Sequence, residues 1–389
     1  MNINLIIGFL FFLIVSTLYS LVNIIFFPCI VFIFILFLLF KNSKNIDTPS
    51  LLYIIFSFWV LGSLTWSVNY LNSLVGTIFL FLLYLGIVFL YLSFKSNIFL
   101  LSQTIYLIIL ASLILNFRNL YLYIFISNDG PRFSGIAEQP NSLGLLSSTF
   151  CVTIIIYNYL FGQYNSKYKN YVCYIALLFS IFFLFLSGSR GSLLSVLVPS
   201  IYILINFKRI LRIKYILLFS SVVFLFFIFY NKISNLIFFQ RILLLPQALG
   251  FNIGNPVEVS EDLEAAGDDS RLNIAQIVLE NFYNNPILGY GISSFKYFSN
   301  FVYTHNTFLE IMFSLGLVGL ILYYFPLLFI FFKSFSFNKD NRISKSIRGL
   351  FIFILLSGMA IPSFQSKTQV ITLFLYLSLY GILLNLKKR

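Results

Sequence analysis

The chain has 389 residues, of which 60% are hydrophobic and only 10% charged, with a mean hydropathy of +0.95. That balance excludes an ordinary soluble domain and marks an all-α, polytopic membrane helix bundle. A net charge of +13 would suit a nucleic-acid binder, but the placement of the cations argues against it.

At roughly 17–25 apolar residues per crossing, the sequence predicts twelve spans, at 3–19, 22–40, 51–66, 74–94, 98–116, 144–161, 171–187, 192–206, 215–230, 304–332, 350–363 and 370–386. Nine spans fill residues 1–230, a large polar loop takes 231–303, and three more spans fill 304–389. Met1 to Leu18 lacks a basic leader and a small-residue cleavage site, so it is expected to stay as the first span. With both termini in the cytoplasm, 17 of the 25 Lys and Arg fall in inside loops, Lys208, Arg209, Arg342, Lys345 and Arg348 among them. Eight fall outside: Arg118, Arg132, Arg190, Lys232, Arg241, Arg271, Lys296 and Lys367. Short basic loops stay cytoplasmic, so this orientation is expected, and the partner of the cation surplus is anionic membrane lipid, with no nucleic acid. Cys29, Cys151 and Cys173 lie in apolar runs and read as buried thiols.

Two outside segments are long enough to carry function, 117–143 and 231–303. In the first, Pro131-Arg132-Phe133-Ser134-Gly135 leads to Gln139-Pro140-Asn141-Ser142-Leu143-Gly144. Pro140 suits a helix start, and the free N–H groups there with Arg132 and Glu138 make a phosphate site or an ordinary interfacial turn. Next, Ser187-Gly188-Ser189-Arg190-Gly191 separates two spans at the outer face. Gly188 and Gly191 allow a tight reversal, Ser187 and Ser189 offer hydroxyls, and Arg190 is held at the surface on almost no loop. Such an arginine grips a diphosphate or snorkels to the interface, and its outside position, against the positive-inside bias, favours the first reading.

In the long loop, Glu258, Glu261, Asp262, Glu264, Asp268 and Asp269 form an acidic run whose spacing fits no metal-ligand pattern, so it reads as a solvated segment. Asp269 or Ser270 is expected to cap a helix beginning at Arg271, with Ile274, Ile277, Val278 and Phe282 on one apolar face. Arg271 at such a start opposes the helix dipole, which points to a substrate phosphate or to pairing with the acidic run. His305, the one histidine, follows where the polar loop meets a long apolar helix. An imidazole there is a proton-handling group or an interfacial hydrogen-bonding residue. Glu310 lies five residues on, roughly 140° away if the helix runs through His305. Gly316 and Gly319 form a small-residue spot where another helix is expected to pack.

Taken together, Arg132 to Gly144, Ser187 to Gly191, Arg271 to Gly291, and His305-Asn306 followed nine residues later by Gly316-x-x-Gly319 resemble the bacterial O-antigen ligase and O-antigen (capsule) polymerase superfamily, the Wzy–WaaL group. The resemblance implies a GT-C-like, metal-independent glycosyltransferase with a helical extracytoplasmic loop, no cofactor, and both termini cytoplasmic. It implies transfer of a glycan from an undecaprenyl-diphosphate carrier at the outer face of the inner membrane. His305 would be the base on the acceptor hydroxyl. Arg190 and Arg271, with Arg132 as a weaker third, would bind the diphosphate, supported by Ser187, Ser189, Asn306 and Asn141. Donor and acceptor would both be lipid-linked oligosaccharides, with a chain-length regulator and a flippase as further partners. The Phe-, Ile- and Asn-rich composition with small loops leans toward a surface-polysaccharide polymerase. The alternatives are a ligase joining the glycan to lipid A–core and a lipid-linked oligosaccharide flippase. Against the flippase, the chain shows no internal repeat and gathers its charges at the outer face.

Overall fold

The computed structural model describes residues 46–95, 97–126, 133–137, 139–205, 268–337 and 341–387. Among these, every long element is a helix: α1 (Thr48–Gly62), α2 (Tyr70–Phe94), α3 (Ile98–Phe125), α4 (Pro140–Phe161), α5 (Lys167–Leu186), α6 (Arg190–Ile205), α7 (Asp268–Phe282), α8 (Thr307–Phe335), α9 (Arg342–Ala360) and α10 (Gln369–Lys387). Eight are long and apolar enough to cross a membrane, and α6 is a shorter apolar helix. The spans expected at 3–19, 22–40 and 215–230, with the loop from 231 to 267, lie outside the described residues.

Local chemistry sets the starts. Asp47 caps α1 through a reciprocal hydrogen-bond pair with Ser50, with Pro49 in the first turn. Asn69, Asn97, Ser166, Asn306 and Asn341 cap α2, α3, α5, α8 and α9. Three boundaries differ from expectation. Helix α3 runs on to Phe125 past Asn116 and Asn119, both buried, where Asn116 Nδ2 donates to Ser180 Oγ of α5 at 3.1 Å. Helix α9 starts at Arg342 instead of 350, because its first two turns carry cations that mask their helical register in a hydropathy scan. Helix α7 starts at Asp268, three residues before Arg271.

Short turns join neighbouring helices, so they run antiparallel. Helix α8 packs on α1 and α9, α9 on α6 and α10, and α10 on α2, while α4 meets α5 and α6. Buried tyrosines stitch the centre: Tyr84 Oη donates to the Phe364 carbonyl at 3.0 Å, Gln369 Nε2 to Tyr323 Oη at 2.8 Å, and Tyr376 Oη to the Leu327 carbonyl at 2.7 Å. These bonds satisfy polar groups that lipid cannot.

Helix α8 is broken at Gly316, where φ is +65° and ψ −166°, a region essentially confined to glycine. The segment Pro286–Gly291 docks into the break. Tyr290 N donates to the Phe313 carbonyl at 2.9 Å, Gly291 N to Ser314 at 2.8 Å, and Leu317 N donates back to Pro286 at 2.8 Å. Trp59 Nε1 takes the Leu315 carbonyl at 3.2 Å and Trp66 Nε1 the Leu288 carbonyl at 3.0 Å. Gly316 therefore receives a loop, not the neighbouring helix expected for the Gly316–Gly319 pair. A Cβ on Gly289, also at positive φ, would lie 2.6 Å from the Phe313 carbonyl oxygen.

Candidate functional site

His305 does not lie in α8. It precedes the helix in the left-handed region, at φ +56°, one of two non-glycine residues with positive φ among those described. That conformation costs a residue with a Cβ about 1–2 kcal/mol, so the surroundings must fix it. They do so on both sides. Asn306 Oδ1 caps α8 by accepting from Phe308 N at 2.8 Å and Leu309 N at 3.4 Å. Thr304 Oγ1 donates to the Asn306 carbonyl at 2.8 Å, and Thr304 N donates to Glu310 Oε2 at 2.9 Å. Thr307 Oγ1 donates to the Ile361 carbonyl at 3.0 Å and accepts from Ser363 N at 2.8 Å.

Because α8 begins after His305, the 140° separation from Glu310 does not apply. Glu310 turns back under the turn and is 1% exposed. Besides Thr304 N, it accepts from Ser314 Oγ and Gln365 Nε2, both at 3.4 Å. An acidic group in the first turn also suits the helix dipole. Glu310 is thus the brace of the His305 turn, a role the sequence spacing concealed.

The His305 ring is half-buried and packs at 4.4 Å on the ring of Tyr303. Burial lowers its pKa below the usual value, and the field of the Arg271 guanidinium lowers it further. The imidazole is therefore neutral near pH 7, with a lone pair available. Tyr303 Oη donates to Gln139 Oε1 at 2.8 Å, and burial raises the Tyr303 phenol pKa. Gln139 immediately precedes α4, so the Gln139–Gly144 motif is tied directly to the His305 turn. Asn141 sits, half-buried, in the first turn of α4.

Helix α7 brings Arg271 to this end. Ile274 and Val278 are buried against Tyr290, Phe295, Met312 and Phe313, with Ile277 and Phe282 partly buried beside them, which is the apolar face anticipated. Arg271 remains exposed, with no ion-pair partner among the described residues. The carboxylates from 258 to 264 lie outside the described residues, as does Arg132. Phe133, next to Arg132, donates its N–H to the Leu186 carbonyl at 3.3 Å.

The Ser187–Gly191 turn is built as a tight reversal, with Gly188 at φ +60°. Its hydroxyls are engaged within it: Ser187 Oγ donates to the Leu184 carbonyl at 2.7 Å, and Ser189 Oγ lies 2.9 Å from Ser192 Oγ and caps Ser192 N at 3.4 Å. Arg190 opens α6 and is half-exposed. Gly144 of α4 packs so closely on this turn that a Cβ there would lie 2.7 Å from Ser189 Cβ and 2.9 Å from Ser187 Oγ. Gly191 abuts Ala360, the last residue of α9, and Ile361 receives the Thr307 hydroxyl. A continuous run of contacts thus leads from Arg190 through Gly191, Ala360 and Ile361 to Thr307, two residues beyond His305. Gln365 and Ser363 of this connection belong to the site's scaffold, and nothing in their spacing had singled them out.

Among the described residues, no three His, Cys, Asp or Glu side chains cluster as a metal site. The arrangement offers one neutral base in a fixed pose and cations at the same bundle end. That combination suits proton removal from an alcohol beside a phosphorylated leaving group.

No curated protein matches the chain. Residues 175–324, which run from α5 to α8 and hold Arg190, Arg271 and His305, match the family described as O-antigen ligase, and over that stretch the chain is similar to the O-antigen ligase/polymerase superfamily.

Proposed function

We propose that this protein is a membrane glycosyltransferase of surface-polysaccharide assembly that moves a glycan from undecaprenyl diphosphate to the hydroxyl of a lipid-linked acceptor, at the outer face of a bacterial inner membrane. His305 takes the acceptor proton as the oxygen attacks the anomeric carbon. The bond to the diphosphate breaks, and Arg190 and Arg271, with Arg132 as a third cation, hold the leaving group's charge. Without a metal, arginines supply that stabilisation.

The observation that carries this reading is the histidine itself, kept neutral by burial and the Arg271 cation and held in a strained turn that Thr304, Asn306 and Glu310 brace. The composition favours repeat-unit polymerisation. The description of the matched family favours the second reading, ligation to lipid A–core. A deletion strain separates them by its glycan profile. Single repeat units on core indicate a polymerase, whereas bare core with long chains retained on the carrier indicates a ligase. In either case His305→Ala should lower transfer by about 10²–10⁴-fold, the usual loss for a general base, with the protein still inserted. Arg190→Ala should also abolish extension. Normal glycan ladders from an expressed His305→Ala strain would overturn the assignment.

A further inference from the structure

The rings of His305 and Tyr303 and the side chain of Gln139 form a chain of contacts that the proposed transfer step does not use. Thr304, Asn306 and Glu310 fix the backbone around His305, but the imidazole still has two side-chain torsions. Among the described residues no hydrogen bond holds either ring nitrogen. The ring is restrained instead by Tyr303, whose ring centroid lies 4.4 Å away at an interplanar angle of 56°.

Tyr303 is anchored in turn. Its hydroxyl donates to Gln139 Oε1 at 2.8 Å, across 164 residues of sequence. Burial raises the Tyr303 pKa, so the phenol keeps the proton it donates. Gln139 is the residue before α4, where a side chain ordinarily accepts from the first N–H groups of the helix. It makes no such bond, which leaves its amide oxygen to Tyr303. The same helix start reaches the Arg190 turn, since a Cβ on Gly144 would lie 2.7 Å from Ser189 Cβ. The beginning of α4 therefore touches the His305 turn through Gln139 and the Arg190 turn through Gly144.

We propose that Tyr303 is a positioning residue for His305, with Gln139 as its anchor, and that their hydrogen bond fixes the imidazole relative to the helix start that abuts the Arg190 turn. Ring packing orients the imidazole without engaging either nitrogen, so the lone pair stays open to the acceptor's proton. A carbonyl or carboxylate bonded to the ring would also orient it, but would commit one nitrogen. The consequence for rate rests on the reading of His305 as the base.

His305 is the only histidine, so the full-length protein in detergent, grown on isotope-labelled histidine and purified without a histidine tag, shows a single imidazole by NMR. The wild type should give one sharp ring signal. Tyr303→Phe keeps the aromatic ring but loses the hydroxyl, and Gln139→Leu, at an exposed position, loses the acceptor and gives a reading if Tyr303→Phe does not fold. Each should broaden or split the signal in the same way, with Tm near the wild-type value. Each should also slow transfer, read from glycan ladders, by about three- to tenfold, the worth of one hydrogen bond. The double variant should be no slower than either single variant, because both remove the same bond. Altered signals with normal ladders would keep the positioning and remove His305 as the base. An unaltered signal in a folded Tyr303→Phe or Gln139→Leu protein overturns the proposal, as does a double variant in which the two losses multiply.

Discussion

The base proposed at His305 would need a neutral ring and a fixed direction, and different neighbours supply these two properties. Burial and the Arg271 cation lower its pKa, so the ring stays unprotonated until the pH falls below the usual histidine value. Removing the cation removes one of these two causes. In Arg271→Gln the pKa should rise, and the acidic limb of the pH–rate profile should move to higher pH, alongside about a tenfold or greater loss in rate from weaker diphosphate binding. Arg271→Lys keeps a cation and should leave the limb nearer its wild-type position. An unmoved limb in Arg271→Gln would show that Arg271 does not act on His305. Direction is set by Glu310. In Glu310→Ala the Thr304 N–H is left buried and unpaired, a cost of about 1–3 kcal/mol, and the turn is free to relax from the left-handed region. Glu310→Gln keeps an acceptor and should lose less in both Tm and rate. His305 and Arg271 were legible in the sequence because each was conspicuous, one as the lone histidine and the other as a cation opposing a dipole. Glu310 was not, because a five-residue spacing only means opposite faces when the helix is continuous, and a single residue at φ +56° cancels that geometry.

At the scale of elements, hydropathy located the apolar helices but not what happens within them. The spans expected at 51–66 and 74–94 and those around 307–386 correspond to real helices, since twenty apolar residues have few other ways to satisfy their backbone in lipid. The same logic cannot see a break whose freed groups are satisfied from outside the helix. The Gly316 interruption is as apolar as its surroundings, and only the docked Pro286–Gly291 segment makes it tolerable. That segment also ties the loop carrying α7 to α8, so the placement of Arg271 relative to His305 depends on the break. Gly316→Ala would put a Cβ against the Ile287 carbonyl in a conformation reserved for glycine. It should destabilise the protein by about 1–3 kcal/mol or more, visible as a lower Tm or reduced membrane yield. Surviving protein should transfer more slowly, because Arg271 is displaced. Wild-type Tm in Gly316→Ala would mean the break is not formed.

The described residues divide their basic side chains into two groups by bundle end. His305, Arg190, Arg271, Lys296 and Lys367 belong to connections at one end, while Lys95, Lys167, Lys333, Arg342 and Lys345 belong to those at the other. The sequence anticipated this division from the count of basic residues per loop, which survives errors of several residues in any one boundary. By the same rule the His305 end is expected to face away from the cytoplasm, an expectation that thiol chemistry tests directly. Cys151 and Cys173 are buried and free, so they give little background, and Cys29→Ser removes the third thiol. Val302, 71% exposed at the His305 end, and Tyr164, 79% exposed in the α4–α5 turn at the opposite end, are suitable reporters. In intact spheroplasts a membrane-impermeant maleimide should label Val302→Cys and spare Tyr164→Cys, which should react only after permeabilisation. The reverse pattern would place the imidazole on the cytoplasmic side. A glycan carried on a lipid diphosphate would then have to be extended before it crossed the membrane, and the assignment to assembly at the outer face would fail along with the orientation.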